Sequence, residues 1–371
     1  MSKYQTPCRY DFVGSFLRPE EVKKANADYQ EGKISEAEKN QIIDKAVTEV
    51  VAKQKELGFH VITDGEFRRT YWHLDFMWGF EGVTHEKDGG GVQFNGEMAD
   101  LEATYLVGKV KAKVHPFVEY FKFLKQFEDE QTVAKYTIPA PAQMYQQMIV
   151  PQNIEQTRKF YATDDELIED IGKAYQDVIK QFYSAGCRNL QLDDCTWGAI
   201  VGDAAKQRYQ SLGVDIEEVK ARLLKVNNLA LEGRPEDMMI TSHICRGNYH
   251  STFFTSGPYD SVADYVFAQE HVDALLLEYD DARSGGFAPL AKVSPDKKVV
   301  LGLITTKKPE LEDKDKVIAR IHEAEKYIPL ERLCLSPQCG FASCEIGNKI
   351  TEEQQWAKLA LVKEIAEEVW K

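Results

Sequence analysis

From Asn189 to the C-terminus, five short apolar runs alternate with helical stretches, and this alternation limits the available folds more than any other feature. The runs are NLQLDD from Asn189, MMITSH from Met238, ALLLEY from Ala274, VVLGLITT from Val299 and LCLSPQ from Leu333. Helical spans are expected at 214–231, 259–271 and 313–327, with a closing amphipathic helix from Thr351 to Trp370. Short buried strands joined by helices are βα units, and their strands run parallel. The N-terminal half adds three strand candidates: 10–16, HVITDGEF from His60, and KYTIPAPAQ from Lys135. About eight such units predict an α/β chain, a (β/α)8 TIM-type barrel forming one domain over residues 1–371.

The first connection reads as a helical tract from Pro19, in which Ile42, Ile43, Val47, Val50, Val51 and Leu57 keep a helical period up to a stop at Gly58. The prolines of the third strand cannot donate ladder hydrogen bonds, so it should stop near Ile138. A long helical region follows Met144. Between the second and third strands, an insertion at about 71–130 is rich in aromatics (Tyr71, Trp72, Phe76, Trp78, Phe80). Alternating runs on either side of Gly108 predict a β-hairpin over the barrel mouth, followed by a helix. Gly89-Gly90-Gly91 reads as a hairpin turn, because the strand-to-helix context and Lys-Ser/Thr of a phosphate loop are missing.

A net charge of -14 argues against a nucleic-acid or anionic-membrane partner. No apolar stretch is long enough to span a bilayer, and the first residues lack the apolar core of a signal peptide. Seven cysteines, an odd number, fit a reducing cytoplasm and not a disulfide framework. Oligomeric state is not legible.

In a barrel of this kind the active site lies where the strands end. His243 and Cys245 sit two apart at one strand end, so both side chains face the same way. Glu278 closes the next strand, and Cys339 follows the last. An imidazole, two thiols and one carboxylate at strand ends form a set that selects zinc. Singly, each has a plainer reading: a core thiol, a structural histidine, a carboxylate facing a helix. Cys8, Cys187, Cys195, Cys334 and Cys344 are read as small hydrophobes.

With those residues in place, the chain resembles the catalytic C-terminal barrel of the cobalamin-independent methionine synthases. The likeness runs over most of the chain. His243-x-Cys245, the strand-end Glu278 and Cys339 in PQCG match the family's zinc ligands. Gly14-Ser15-Phe16, with Val13, is similar to the turn that takes the homocysteine carboxylate. Glu66 and, in Gln191-Leu192-Asp193, Asp193 match the acids that hold its ammonium. The resemblance therefore implies a Zn2+-dependent methyltransferase that carries a methyl group, from 5-methyltetrahydrofolate, to homocysteine to make methionine.

Some positions depart from the pattern. Full-length members carry a second, N-terminal half for the polyglutamylated folate, and this chain has no room for it. Tyr145 stands roughly where the family has a pterin-stacking Trp, and Lys307 stands where it has a catalytic His. The leaving amine needs a proton, and Lys307 and Asp194 are the candidates. For a folate tail the candidate cations are Arg246 and Arg68. A methylcorrinoid protein or another small methyl donor remains an alternative with the same thiolate chemistry. A zinc hydrolase would want His-rich ligands and a metal-bound water, and a non-catalytic zinc scaffold would leave Glu66 and Asp193 unexplained.

Overall fold

The computed structural model describes residues 6–87 and 90–371; Gly89, part of the expected triple-glycine turn, lies outside them. Six parallel strands form a continuous sheet in chain order: Tyr136–Pro139, Asn189–Asp194, Met239–Ile244, Ala274–Glu278, Lys298–Ile304 and Leu333–Pro337. Two more positions complete the ring. Val61–Ile62 pairs in parallel with Val133–Ala134, the segment leading into Tyr136–Pro139. Tyr10 bridges in parallel to Leu335, and the Phe16 amide donates to the Gly65 carbonyl at 3.1 Å, which joins first position to second. The fold is thus the expected α/β barrel, with the chain's β-branched and Leu-rich runs as its staves.

Helices on the outside are capped as their sequences suggest. Ser35 and Thr351 each form a capping box, on helices Glu36–Glu56 and Glu352–Val369. Thr163, Asp215 and Asp313 accept the first-turn amides of Asp164–Ser184, Ile216–Leu231 and Lys314–Ala324. Most of the apolar core fills the shell between sheet and helices. A smaller cluster of Val13, Leu276, Val300 and Cys334 packs separately.

Several local expectations are corrected. The tract from Pro19 is two helices, Glu20–Gln30 and Glu36–Glu56, parted by a turn at Gly32 with φ +71°. The third strand runs one residue further, to Pro139, because a strand's last residue can still offer its carbonyl. Helix starts at once at Pro141, which suits proline at a first helical turn, and the region is three pieces ending in Asp164–Ser184. Gly108 is not a hairpin turn. It lies within strand Ala103–Lys111, which pairs antiparallel with Glu81–Glu86 across a register shift at Gly82. A Cβ at Gly82 would meet the Lys109 carbonyl oxygen at 2.3 Å, so the close approach needs glycine there. Nested within this pair, Gly91–Gln93 and Met98–Asp100 make a second hairpin. Its tip docks over the mouth, where the Asn95 amide donates to the Phe253 carbonyl at 3.0 Å. Helix Pro116–Lys125 follows.

Candidate active site

The pleat decides which strand-end side chains enter the barrel. In Asn189–Asp194, Gln191 and Asp193 point inward, and the Gln191 amide nitrogen donates to Asp193 Oδ1 at 2.7 Å and to the Val13 carbonyl at 2.8 Å. One strand on, His243 and Cys245 share the inward face. The sixth strand adds Glu278, and the loop after the eighth brings Cys339. Ligand atoms of these four residues all lie within 4.8 Å of one another, and all four are buried. The two sulfurs are 3.7 Å apart.

Their bonding is incomplete in a way that suits a cation. His243 Nδ1 faces the Leu276 carbonyl at 3.3 Å, so as donor it leaves Nε2 as a lone pair, and Nε2 has no partner. Both Glu278 oxygens are buried without a hydrogen bond. A bare buried carboxylate beside two thiols and an imidazole is costly unless a cation is shared. Both thiols are held well above their ordinary range. For Cys245 the contact with Cys195 leads, and for Cys339 the contact with Cys245, with burial adding to each. The residues present therefore fit zinc, as an N, S, S, O donor set.

Next to this cluster lies a cavity of about 710 Å³, whose wall includes His243, Cys245 and Cys339 together with Val13, Ser15, Glu66 and Asp193. Gly340 is required beside Cys339, because a Cβ there would sit 1.9 Å from Ser15 Oγ. The Ser15 hydroxyl accepts the Ala342 amide at 3.3 Å, and the Ser15 carbonyl accepts Phe341 N at 2.9 Å. Glu66 occupies a left-handed conformation, φ 63°, rare for a residue with a side chain. The turn aims its carboxylate at Thr137, whose hydroxyl donates to Oε1 at 2.7 Å; Arg69 stands 3.4 Å from the same oxygen, and Oε2 has no partner. Burial, and then the Glu66 charge, push the Asp193 carboxyl well above the usual carboxylate range. A cation arriving between the two acids would reverse that shift. Val13 contributes wall rather than a free carbonyl, since Gln191 already takes it.

Tyr145 is buried in the cavity wall, its hydroxyl 3.1 Å from Asp164. Four of the remaining expected residues do not line this cavity. Asp194, on the opposite face of the pleat from Asp193, points out of the barrel. Its oxygens take the Thr196 amide at 2.7 Å and the Asn227 amide nitrogen at 2.9 Å. Lys307 Nζ is buried without a hydrogen-bond partner and lies outside the cavity wall, where its charge helps lower the Asp281 carboxyl. Arg246 is neither a solvated charge nor a cavity cation. It is fully buried, donates to Ser284 Oγ at 2.9 Å and stacks 4.0 Å over the Tyr259 ring. Arg68 is likewise turned to the outside, paired with Asp44 and over Tyr120.

The insertion was expected over the mouth, but most residues of the remaining wall were not assigned to the site. Trp72, His73, Phe94, Leu101 and Tyr249 come from the insertion and the fifth-strand loop. Burial depresses the His73 imidazole to about 3, so it is neutral. Cys195 and Cys344, read as packing, also face this space.

The family model for the catalytic domain of cobalamin-independent synthases matches residues 10–367. The chain belongs to that family. It is 42% identical to the uncharacterized protein YxjG of Bacillus subtilis, over the whole chain and 97% of that protein. It is 23% identical to the methionine synthase of Saccharolobus solfataricus, over 96% of the chain and 94% of the relative. The crystal structure of a putative vitamin-B12 independent methionine synthase from Listeria monocytogenes superposes with a TM-score of 0.77 at 35% identity, covering 98% of both chains. Cobalamin-independent synthases are methyltransferases, and the chain is an enzyme of that class. Among the described residues, no helix is long and apolar enough to cross a membrane.

Proposed function

We propose that this synthase moves a methyl group from a reduced folate to the thiol of homocysteine, with zinc held by His243, Cys245, Glu278 and Cys339. The observation that carries this reading is the convergence of four buried donors, among which His243 Nε2 and both Glu278 oxygens have no hydrogen-bond partner. When bound, zinc would deprotonate an incoming thiol and keep it as a nucleophilic thiolate. Two thiolates and a carboxylate keep the centre electron-rich, which favours attack on carbon over activation of water.

The chain's own residues do the positioning. Asp193 and the free oxygen of Glu66 take the α-ammonium, and the Ser15 turn takes the α-carboxylate. The sulfur then enters beside His243 and Cys245, while the methyl donor lies in the cavity between Tyr145, Phe94 and Tyr249. Enclosure by these apolar walls excludes water and strengthens every polar contact within.

A second reading keeps the thiolate chemistry and changes the donor. It is favoured by the departure of Arg246 and Arg68 from the cavity, and by Arg222 in its wall being paired with Asp164 at 3.0 Å. A polyanionic folate tail finds few free cations here. The test is single-turnover transfer to homocysteine from mono- and triglutamyl 5-methyltetrahydrofolate, beside a methylcorrinoid donor, with zinc content measured for the unmodified protein and Cys339→Ser. We expect transfer from folate, little dependence on glutamate number, and zinc lost from Cys339→Ser. Turnover with the corrinoid alone rejects the folate, and full zinc in Cys339→Ser rejects the metal assignment.

A further inference from the structure

Among the described residues, four side chains of the cavity wall carry a buried polar atom with no hydrogen-bond partner: Glu66 Oε2, His73 Nδ1, Gln143 Oε1 and His243 Nε2. Glu66 and His243 already have a proposed use, with an ammonium and with a metal. His73 and Gln143 have none. A buried polar atom left unpaired is unfavourable, and a native structure keeps one where something else satisfies it. Local structure gives His73 no other task. It stands at the N-cap position of helix Leu74–Met77, yet its side chain makes no capping bond. It is 7% exposed, its ring centroid lies 4.6 Å from that of Trp72, and burial alone depresses its imidazole, so no charged group attends it. The segment is also pinned. The Trp72 amide donates to the Ser343 carbonyl at 3.0 Å, and Asp75 accepts the Thr70 and Tyr71 amides, each at 2.9 Å. Gln143 sits across from this insertion, in the first turn of helix Pro141–Ile149.

An orphaned buried N–H is rarer than an orphaned acceptor, so the imidazole hydrogen belongs on Nε2 and Nδ1 keeps its lone pair. Gln143 Oε1 is an acceptor too. Two unused acceptors in one cavity call for two donors on its ligand. We propose that His73 and Gln143 select the methyl donor, by accepting hydrogen bonds from the amino and ring N–H groups of a planar nitrogen heterocycle. The inference rests on the reduced-folate reading above, whose pterin ring carries both kinds of donor. It assigns recognition of that ring to two residues of this chain, one of them in the insertion after the second strand. Lys307, the residue expected to face the donor's nitrogen, lies outside the cavity wall, and the insertion brings an imidazole there instead. His73 acts by position only, and no proton transfer is assigned to it.

The test is calorimetric titration of the purified protein with 5-methyltetrahydrofolate and with its 2-desamino-2-methyl analogue, in which a methyl group replaces the ring's amino group. Unmodified protein, His73→Leu, His73→Asn and Gln143→Leu are compared, and homocysteine is titrated into each. Each Leu variant should bind 5-methyltetrahydrofolate about 5- to 10-fold more weakly, as expected for one lost hydrogen bond. His73→Asn, which offers an acceptor oxygen near the place of Nδ1, should recover most of that loss. The analogue should bind the unmodified protein more weakly than the folate, and at least one Leu variant should no longer distinguish the two. Homocysteine affinity should stay unchanged throughout, which a merely structural role would not predict. Folate binding that is equal in the unmodified protein and both Leu variants overturns this assignment alone. So does an analogue bound as tightly as the folate, or a parallel loss for homocysteine. Absence of folate binding to the unmodified protein overturns the reduced-folate reading and this assignment with it.

Discussion

Replacing Asp193 with Asn keeps the side chain's shape and its bond from Gln191, and removes a buried carboxylate that has no ion pair within reach among the described residues. The opposing charge it offers to an ammonium at about 4 Å is worth on the order of 4 kcal/mol at an effective dielectric near 20. Part of that is offset, because burial and Glu66 raise the Asp193 carboxyl, and the proton must leave before the ammonium can pair. A loss below that figure, at most roughly 1,000-fold in Kd, is therefore expected for homocysteine. The assay is calorimetric titration of homocysteine and of its analogue without the amino group, in buffers of different ionisation enthalpy. Both ligands bring the same thiol proton, so the difference between them isolates Asp193. Unmodified protein should release more protons with homocysteine than with the analogue, and Asp193→Asn should abolish that excess while barely weakening the analogue. Equal losses for both ligands, or an unchanged proton count, would refute ammonium recognition by Asp193.

Outside the barrel, Asn227 joins Asp194 to Glu270, donating to Oδ2 and Oε1 at 2.9 and 2.8 Å, and burial followed by the Asp194 charge pushes Glu270 up to about 8. The folded state then binds the Glu270 proton more tightly than the unfolded chain does. Stability is full below about pH 4.5 and falls as pH rises to about 8, by on the order of 5 kcal/mol at most. Urea unfolding across that range should show the slope, and Glu270→Gln should flatten it; an unchanged slope in the variant removes Glu270 as its source. Arg246→Ala removes the stack on Tyr259, whose hydroxyl accepts the Glu278 amide at 3.0 Å. A stability loss of about 2 to 4 kcal/mol and roughly 10- to 100-fold weaker metal binding are expected. Calorimetric unfolding and metal competition check this, and a variant unchanged in both would show that Arg246 does not support the ligand strands.

The parts of this molecule that were readable in the sequence rest on local pattern: the faces of single strands and helices, their alternation, and residue types recurring at successive strand ends. His243 and Cys245 could be placed together because a two-residue step on an extended segment fixes their common face. The same pleat explains why Asp194, adjacent to inward-facing Asp193, had to leave the barrel, so that correction was available in the strand itself. Arg246 was not readable in this way. Its burial is decided by Tyr259 and Ser284, which come from two other loops. The insertion's alternating runs pointed to a hairpin over the mouth, but the aromatic wall around Phe94 and Tyr249 depends on a second, nested hairpin and on where it docks.

This division has a functional consequence. On the reading proposed above, the thiol half rests largely on strand ends, whose backbone pairing holds side chains in place for a positioned nucleophile. The donor half would rest on the Gly91–Gln93 and Met98–Asp100 hairpin, helix Pro141–Ile149 and the loop at Tyr249. The hairpin joins the rest of the chain through contacts such as Asn95 to Phe253 and Lys349 to Glu97. Changes in such segments alter the cavity without disturbing the ladder that holds His243, Cys245, Glu278 and Cys339. One set of converging donors can therefore be kept while the shape and charge of the cavity beside it change.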